Sequence, residues 1–477
     1  MSSSVLIASN RGPVSFAIAE DGSLTMARGA GGLVSGLTEA VKGTDALWIC
    51  AAISEGDRYA ARKAPNGRID KGGYDITPVR MLDIPPATFD RAYNSVANST
   101  LWYVNHLLYN TSLAPQFDTT FRREWQAYRD YNDAFATALA EEAAPWARVM
   151  VQDYHLALTP LMLREQRPDL RIAHFSHTPW APPEYFSLLP DDVAAEVLTG
   201  ILGADHAGFL TGRWASAFMD CCEVILGATV DRERRTVRYD KRTTQIGVHP
   251  LGVDGEALLA RATAPDVESH MAALKDLIGD RKLIVRVDRT ELSKNILRGL
   301  TAYREFLEKH PEWHGRVVHL AFAYPSRHDL PEYREYTAAV QRCAKEIEDE
   351  YATDDWDPII LHVRDDYARS LAAYRLADVL LVNPIRDGMN LVAKEGPILS
   401  ERCALVLSRE AGAAAELGQD SLLVNPFDIS GTAAALHEAL LLPETERIRR
   451  IARLRKASTA MPPRRWFEEQ LAALAAR

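Results

Sequence analysis

The chain has 477 residues, too many for one compact core, so two or three domains are expected. Apolar residues make up 47% and charged residues 25%, the balance of a globular protein rather than a disordered or fibrous one. The 65 acids against 55 bases give a net charge of −10, which argues against a nucleic-acid partner or an anionic membrane surface.

Five cysteines, Cys50, Cys221, Cys222, Cys343 and Cys403, show no C-x-x-C pair and no histidine spacing suited to zinc. They read as thiols of a reducing compartment. The opening MSSSVLIASNRG lacks a basic leader, and no apolar run is long enough to span a bilayer, so a cytoplasmic protein is expected.

In chain order, residues 5–8 read as a short strand followed by the turn Ser9-Asn10-Arg11-Gly12-Pro13. Residues 29–34 form a glycine-rich stretch before a helical pattern reaching Val41. Glycines there let a backbone approach a ligand closely, although such a turn equally serves packing. Residues 47–50 are the next strand, and 54–74 read as polar loop. Residues 93–102 are helical and aromatic, by pattern alone a packing helix, and 121–144 are a long helix. Strands at 149–152 and 172–176 each end in a polar cluster that holds a histidine: Asp153-Tyr154-His155 and His177-Thr178-Pro179-Trp180. The carboxyl ends of parallel strands are where α/β proteins keep their sites.

Residues 193–209 read as helix then strand, 213–222 as helix and 236–248 as a small β excursion. The turn cluster at 250–254 is the expected hinge. Beyond it, strands at 282–287, 316–323, 359–362, 380–382, 403–407 and 422–424 alternate with helices at 296–310, 331–351 and 367–377. Strands separated by single helices, twice over, predict an α/β protein of two doubly wound parallel-sheet, Rossmann-like domains facing a cleft. The expected domains are 1–249 and 250–450, with a helical tail at 451–477, broken at Pro462-Pro463, packing back on the first.

The stretch LLVNPIRDGMNLVAKE at 380–395 reads as a buried strand, a tight loop at Arg386-Asp387-Gly388, and a helix from Met389 onward. Amides at such a helix start favour phosphate or sugar oxygen. Asp387 would stand at its mouth and Glu395 two turns along its flank. A lone D-G would more often be an ordinary solvated turn. Here RTELSK at 289–294 also follows a strand, and Arg289 and Lys294 can clamp a diphosphate, one with a planar fork of donors and one as a point charge. Taken together, these residues fit a diphosphate carrying a sugar.

On these motifs the chain resembles the trehalose-6-phosphate synthases, retaining glycosyltransferases of the GT-B type, from Asn10-Arg11 through Asn425-Pro426-Phe427-Asp428. The resemblance implies glucosyl transfer from a nucleoside-diphosphate glucose to glucose 6-phosphate. It needs no cofactor and no metal. It makes Arg289, Lys294, His177 and Asp153 the catalytic set. Donor contacts would come from Gly31, Gly32, Asp387, Gly388, Met389, Asn390, Leu391, Val392, Glu395, Arg364 and Asp365. Acceptor contacts would come from Arg11, Tyr93, Trp102, Asp153 and Arg327. The glycine loop with Arg11 looks like the family's amino-terminal phosphate-contacting loop.

No pair of carboxylates reads as a glycosidase-type nucleophile and acid, and the resemblance implies front-face attack within an ion pair. The segment His362-Val363-Arg364-Asp365-Asp366 departs from uridine-using relatives, which tend to carry an aromatic there. An aspartate can accept the paired N–H donors of guanine, so GDP-glucose stands level with UDP-glucose. The plainer reading is that Asp365 and Asp366 cap the helix that follows. A glucosylglycerol-phosphate synthase, a pseudo-glycosyltransferase joining cyclitol units and a non-catalytic sugar-phosphate binder are the rival readings. The intact Gly388-Met389-Asn390-Leu391-Val392 run and the complete charged set favour true transfer. A separate phosphatase would release trehalose, and homo-oligomerisation is left open.

Overall fold

Apolar runs buried on both faces set the architecture. In a computed structural model describing residues 2–28, 37, 38, 41, 44, 46–69, 77–327 and 330–475, the chain divides into two units. Unit 1 is Met1–Leu251 with Pro463–Arg477, and unit 2 is Gly252–Pro462.

The strands of unit 1 are β1 (Ser3–Ser9), the hairpin β2 (Val14–Ile18) and β3 (Leu24–Arg28), β4 (Leu47–Ala51), β5 (Arg68–Ile69), β6 (Val79–Leu82), β7 (Ala143–Gln152), β8 (Arg171–Ser176), β9 (His206–Phe209), β10 (Thr229–Asp231), β11 (Thr236–Tyr239) and β12 (Arg242–Val248). Apart from the hairpin they form one sheet in the order β10-β11-β12-β9-β8-β7-β1-β4-β6-β5. From β12 to β6 every pairing is parallel. Leu6, Ile7, Ala8, Val149, Met150 and Val151 are buried, as expected of central parallel strands covered on both faces. The chain leaves β1 for β4 and β6 on one side and then returns to lay β7 on the other. Strand order therefore reverses between β1 and β7, and a ligand crevice belongs beyond their carboxyl ends.

Unit 2 contains β13 (Lys282–Arg289), β14 (Val317–Tyr324), β15 (Ile359–His362), β16 (Val379–Val382), β17 (Ala404–Ser408) and β18 (Leu422–Val424), in the order β15-β14-β13-β16-β17-β18. All of its pairings are parallel. Here the reversal falls between β13 and β16.

Several local expectations are corrected. Residues 54–74 were expected as loop, but Glu55–Lys63 is a helix. Ser54 accepts from the Asp57 amide while the Asp57 carboxylate accepts from the Ser54 amide, a reciprocal cap, and Ala60 and Ala61 are buried. Polar composition hid a short amphipathic helix. The sequence reading also passed over the helices Gly255–Ala262 and Pro265–Ile278. The tail does not divide at 450/451. Glu444–Ser458 is a helix of unit 2, and only Pro463–Ala473 belongs to unit 1, because Pro462-Pro463 stops one helix and Pro463 starts the next. The other boundary lies after Leu251 rather than after 249.

In the terminal helix Trp466 is buried. Its indole Nε1 donates to the His249 carbonyl at 3.0 Å, and its ring meets Phe175 edge-on at 4.7 Å. The five cysteines are unpaired thiols, all buried except Cys343. Among the described residues no helix is long and apolar enough to cross a membrane.

Candidate active site

In unit 2, β16 is wholly buried and breaks at Asn383-Pro384. The Ile385 amide donates to the Ser293 carbonyl at 2.8 Å, sewing the loop after β16 to the turn after β13. A second loop holds the other side. The Asp387 amide donates to Glu410 O at 3.2 Å, the Gly412 amide to Asp387 O at 3.0 Å, and the Ala413 amide to Met389 O at 2.8 Å. Packing is so close that a Cβ on Gly412 would lie 1.8 Å from Gly388 O. Backbone bonds therefore set the course of the chain through Asp387, Gly388 and Met389.

The helix expected from Met389 begins only at Val392 (Val392–Leu399). Asn390 has φ 74°, and a left-handed residue ends any helical run through it. Residues 388–391 are thus a shaped loop rather than a helix start, with Met389 buried and Leu391 and Val392 partly so. Glu395 sits in the first helical turn, not two turns along. Burial pushes its carboxyl up to about 7. Its neighbour Lys394 is fully buried and meets Glu416 at 2.5 Å.

Lys294 closes the short turn Leu292–Lys294 after β13. Its Nζ lies 2.5 Å from Asp387 Oδ2, and Asn390 Nδ2 donates to the same oxygen at 3.2 Å. Asn295, in left-handed conformation, pins the turn by donating to Asn383 O at 2.9 Å and Pro426 O at 2.7 Å. Burial alone would lower the Lys294 pKa, but the carboxylates of Asp387, Asp288 and Glu291 outweigh it and raise it. Lys294 is held as a cation at the strand-order reversal.

Glu291 is a residue the sequence reading passed over. It is fully buried, with Arg289 Nη2 at 3.2 Å from Oε1 and Ser326 Oγ donating to that oxygen at 3.0 Å. Burial would raise its carboxyl. The charges of Arg289, Arg327 and Lys294 instead hold it down at about 2. The signal was an acid between two cations in R-x-E-x-x-K. Arg327, expected on the acceptor side, lies in unit 2 beyond β14 and donates to Tyr333 OH at 2.8 Å. The structure thus groups it with Arg289 and Glu291, whereas Arg11, Tyr93, Trp102 and Asp153 belong to unit 1.

Arg364 and Asp365 are exposed in the loop after β15. The capping role goes to Asp366, whose carboxylate accepts from the Arg369 amide at 2.9 Å, and not to Asp365.

In unit 1 the predicted residues gather at the ends of β1, β7 and β8. Asp153 follows β7 with φ 73° and ψ 170°, a conformation almost confined to glycine that costs about 1–3 kcal/mol. It is over-determined by its surroundings. Its amide donates to Phe175 O at 2.7 Å, its carbonyl lies 3.2 Å from His174 Nε2, and Oδ1 accepts from the His177 amide at 3.1 Å.

His177 Nε2 lies 2.9 Å from Gln152 Oε1, which can only accept, so that nitrogen carries the proton. Burial, with His174 adjacent, holds the His177 pKa at about 3. The ring is neutral and presents Nδ1 as an acceptor, suited to a sugar hydroxyl. Phe175 at 4.7 Å and Trp466 at 5.6 Å wall it. Sequence reading missed Gln152 and Trp466. Gln152 had a signal, since it is the polar residue closing an apolar strand.

Arg11 Nη2 donates to Tyr93 OH at 3.4 Å, and Tyr93 stacks between Phe89 (5.3 Å) and His155 (5.6 Å). Trp102 stacks on His106 at 3.8 Å and tilts against Tyr154 at 5.8 Å. Nine α-helical residues would place Tyr93 and Trp102 on opposite faces. Arg91–Leu101 is instead a π-helix, whose turns of about 4.4 residues bring such a pair to nearly the same face. Gly31 and Gly32 lie outside the described residues.

Two doubly wound parallel sheets, each with polar and charged side chains at its strand-order reversal, are the domains of a GT-B type glycosyltransferase. A model of glycosyltransferase family 20 matches residues 3–476, and the chain belongs to that family. An Aspergillus niger alpha,alpha-trehalose-phosphate synthase (UDP-forming) is 34% identical over 466 residues, 95% of this chain and 92% of that protein. A Thermoproteus tenax bifunctional trehalose-6-phosphate synthase/phosphatase is 36% identical over 377 residues, 78% of this chain but 50% of that protein. Among solved structures, the E. coli trehalose-6-phosphate protein bound with UDP-2-fluoro glucose superposes with TM-score 0.87 at 29% identity, covering 99% of each chain. The Burkholderia xenovorans alpha,alpha-trehalose-phosphate synthase (UDP-forming) in complex with glucose-6-phosphate gives 0.85 at 28% identity, covering 99% of this chain and 100% of that one.

Proposed function

We propose that the protein transfers glucose, with retention, from a nucleoside-diphosphate glucose to glucose 6-phosphate, forming trehalose 6-phosphate and the nucleoside diphosphate. The observation that carries this reading is Lys294, a partly buried cation at the reversal point of unit 2, paired with Asp387 and backed by Glu291 and Arg289. Unit 2 is the donor-binding unit and unit 1 the acceptor-binding unit. In the free protein Asp387 neutralises Lys294. A bound diphosphate competes for that ammonium, and Asp387 then becomes available to accept from sugar hydroxyls.

Bond breaking at the anomeric carbon sends the electron pair to the diphosphate, where Lys294 and Arg289 stabilise it. The acceptor hydroxyl attacks the same face, and its proton passes to the departing diphosphate oxygen. The protein's share is preorganised positive charge and orientation. Arg11 orients the acceptor phosphate, and Tyr93 and Trp102 wall the hexose. His177 accepts from a donor hydroxyl, and Glu395 from the ribose.

The base is the finer question. Relatives named UDP-forming support uridine. Asp365, exposed and not the helix cap, supports guanine. Purified protein given glucose 6-phosphate with UDP-glucose or GDP-glucose separately tests both points. Trehalose 6-phosphate should form with release of one nucleoside diphosphate. Turnover with UDP-glucose alone sinks the guanine reading, and no disaccharide phosphate from either donor sinks the whole proposal. We assign the protein to the cytoplasm, with a separate phosphatase releasing trehalose.

A further inference from the structure

Far from the transfer residues, three ligand-type side chains converge on unit 2. Helices Ile296–Lys309 and Ile429–Leu441 pack against each other. His310 ends the first, the turn Pro311–Trp313 carries Glu312, and His437 projects from the second. His310 Nδ1 lies 3.2 Å and His437 Nε2 3.9 Å from the same oxygen, Glu312 Oε1. The imidazoles stack at 3.6 Å between centroids, tilted 23°, with the buried Phe306 ring near both. One ligand atom from each side chain lies within 4.8 Å of the others.

His310 Nδ1 and His437 Nε2 both face one carboxylate oxygen, an arrangement that either a ring N–H or a metal ion held between the three atoms satisfies. Tetrahedral zinc with bonds of about 2.0–2.1 Å separates its ligands by about 3.3 Å. The 3.2 Å edge already matches, and the 3.9 Å edge closes by a small swing of Glu312, whose side chain is 56% exposed. Two imidazoles and one carboxylate suit zinc, cobalt or nickel rather than magnesium or calcium. A hollow of about 430 Å³, lined by His310, His437, Glu438 and Pro443, leaves room for a water at the fourth position.

We propose that His310, Glu312 and His437 bind one divalent transition-metal ion of the zinc class, which clips the two helices together. The site is structural. The 14-residue helix that leads to His310 starts beside Lys294, and at 1.5 Å per residue its far end is about 21 Å away. The inference is independent of the transfer reading.

The test titrates metal-free protein with Zn²⁺ and Co²⁺, with Mg²⁺ as control, by calorimetry. Co²⁺ visible absorption and the thermal midpoint are followed in parallel. Wild type should bind one equivalent, show the intense bands of four-coordinate cobalt and unfold at higher temperature with Zn²⁺. His310→Ala and His437→Ala should each weaken binding at least about ten-fold and lose the thermal shift. Glu312→Gln, on an exposed turn, and the gentler His437→Gln guard against a misfolded alanine variant and should weaken binding likewise. No Zn²⁺ or Co²⁺ binding by wild type at millimolar metal, or unchanged Zn²⁺ affinity in the folded variants, overturns the proposal.

Discussion

Glu395→Gln should make the free protein more stable and its donor grip weaker. The Glu395 carboxyl has an ordinary value of 4.5, raised by burial to about 7. Below pH 4.5 both folded and unfolded states hold the proton, and the group contributes nothing. Between 4.5 and 7 the unfolded chain ionises while the folded one does not, so stability falls as pH rises. Above 7 the deficit is constant, about 2 kcal/mol after allowance for the partial exposure of the side chain. Glutamine escapes that cost, so the variant should gain about 2 kcal/mol at pH 8 and almost nothing at pH 4.5. Accepting from ribose hydroxyls requires the carboxylate. The wild-type donor KM should therefore be lowest above pH 7 and rise about ten-fold per pH unit below it, while the variant stays flat at the weak end. The assay is donor KM from pH 5.5 to 8.5 at saturating acceptor, since the sugar phosphate's second ionisation near pH ~6 acts on acceptor KM instead. Denaturant unfolding at pH 8 and 5 gives the stability arm. A wild-type donor KM level across this range, or a variant no more stable than wild type at pH 8, refutes the reasoning.

Lys294→Ala removes the partly buried cation and deprives Asp387 of its ion pair, so kcat/KM for transfer should fall by about 100-fold or more, measured with the donor the screen selects. Gly412→Ala drives a Cβ into the Gly388 carbonyl, 1.8 Å away. It should cost about 1–3 kcal/mol in denaturant unfolding and raise donor KM, because the 387–389 loop has to move. Trp466→Ala empties a core position in unit 1 and should cost about 3–5 kcal/mol. It also takes away one wall of His177, so kcat should fall at temperatures where the variant remains folded.

Most of the fold was legible because its strands are apolar runs bounded by turn-formers. Pro331–Tyr351, Ile359–His362 and Leu422–Val424 lie where the pattern put them. Where polarity and periodicity conflicted, the reading failed. Glu55–Lys63 is too charged to look like a buried helix, yet its caps and two alanines suffice. At the site, isolated charged residues at strand ends were visible, but their mutual supports were not. Gln152, Glu291 and Trp466 matter because folding brings them to His177, Arg289 and Lys294. A linear pattern holds no record of such contacts, least of all that between Trp466 and His177. The π-helical winding of Arg91–Leu101 is likewise invisible to a 3.6-residue period. Asn390 shows a subtler limit, since its left-handed backbone moves a helix start by three residues and turns an expected row of amides into a shaped loop.

Because Pro463–Arg477 belongs to unit 1, the whole of unit 2 is an insertion between two pieces of the same core. During synthesis the amino-terminal sheet emerges first but lacks Trp466, and with it the wall behind His177. It has to wait, incomplete, while some 200 further residues are made. Vectorial folding, one domain after another, is closed to this chain. A ribosome that stalls anywhere within unit 2 releases a sheet without the helix Pro463–Ala473. Such a fragment leaves the apolar bed of Trp466 uncovered, a ready handle for chaperones and proteases.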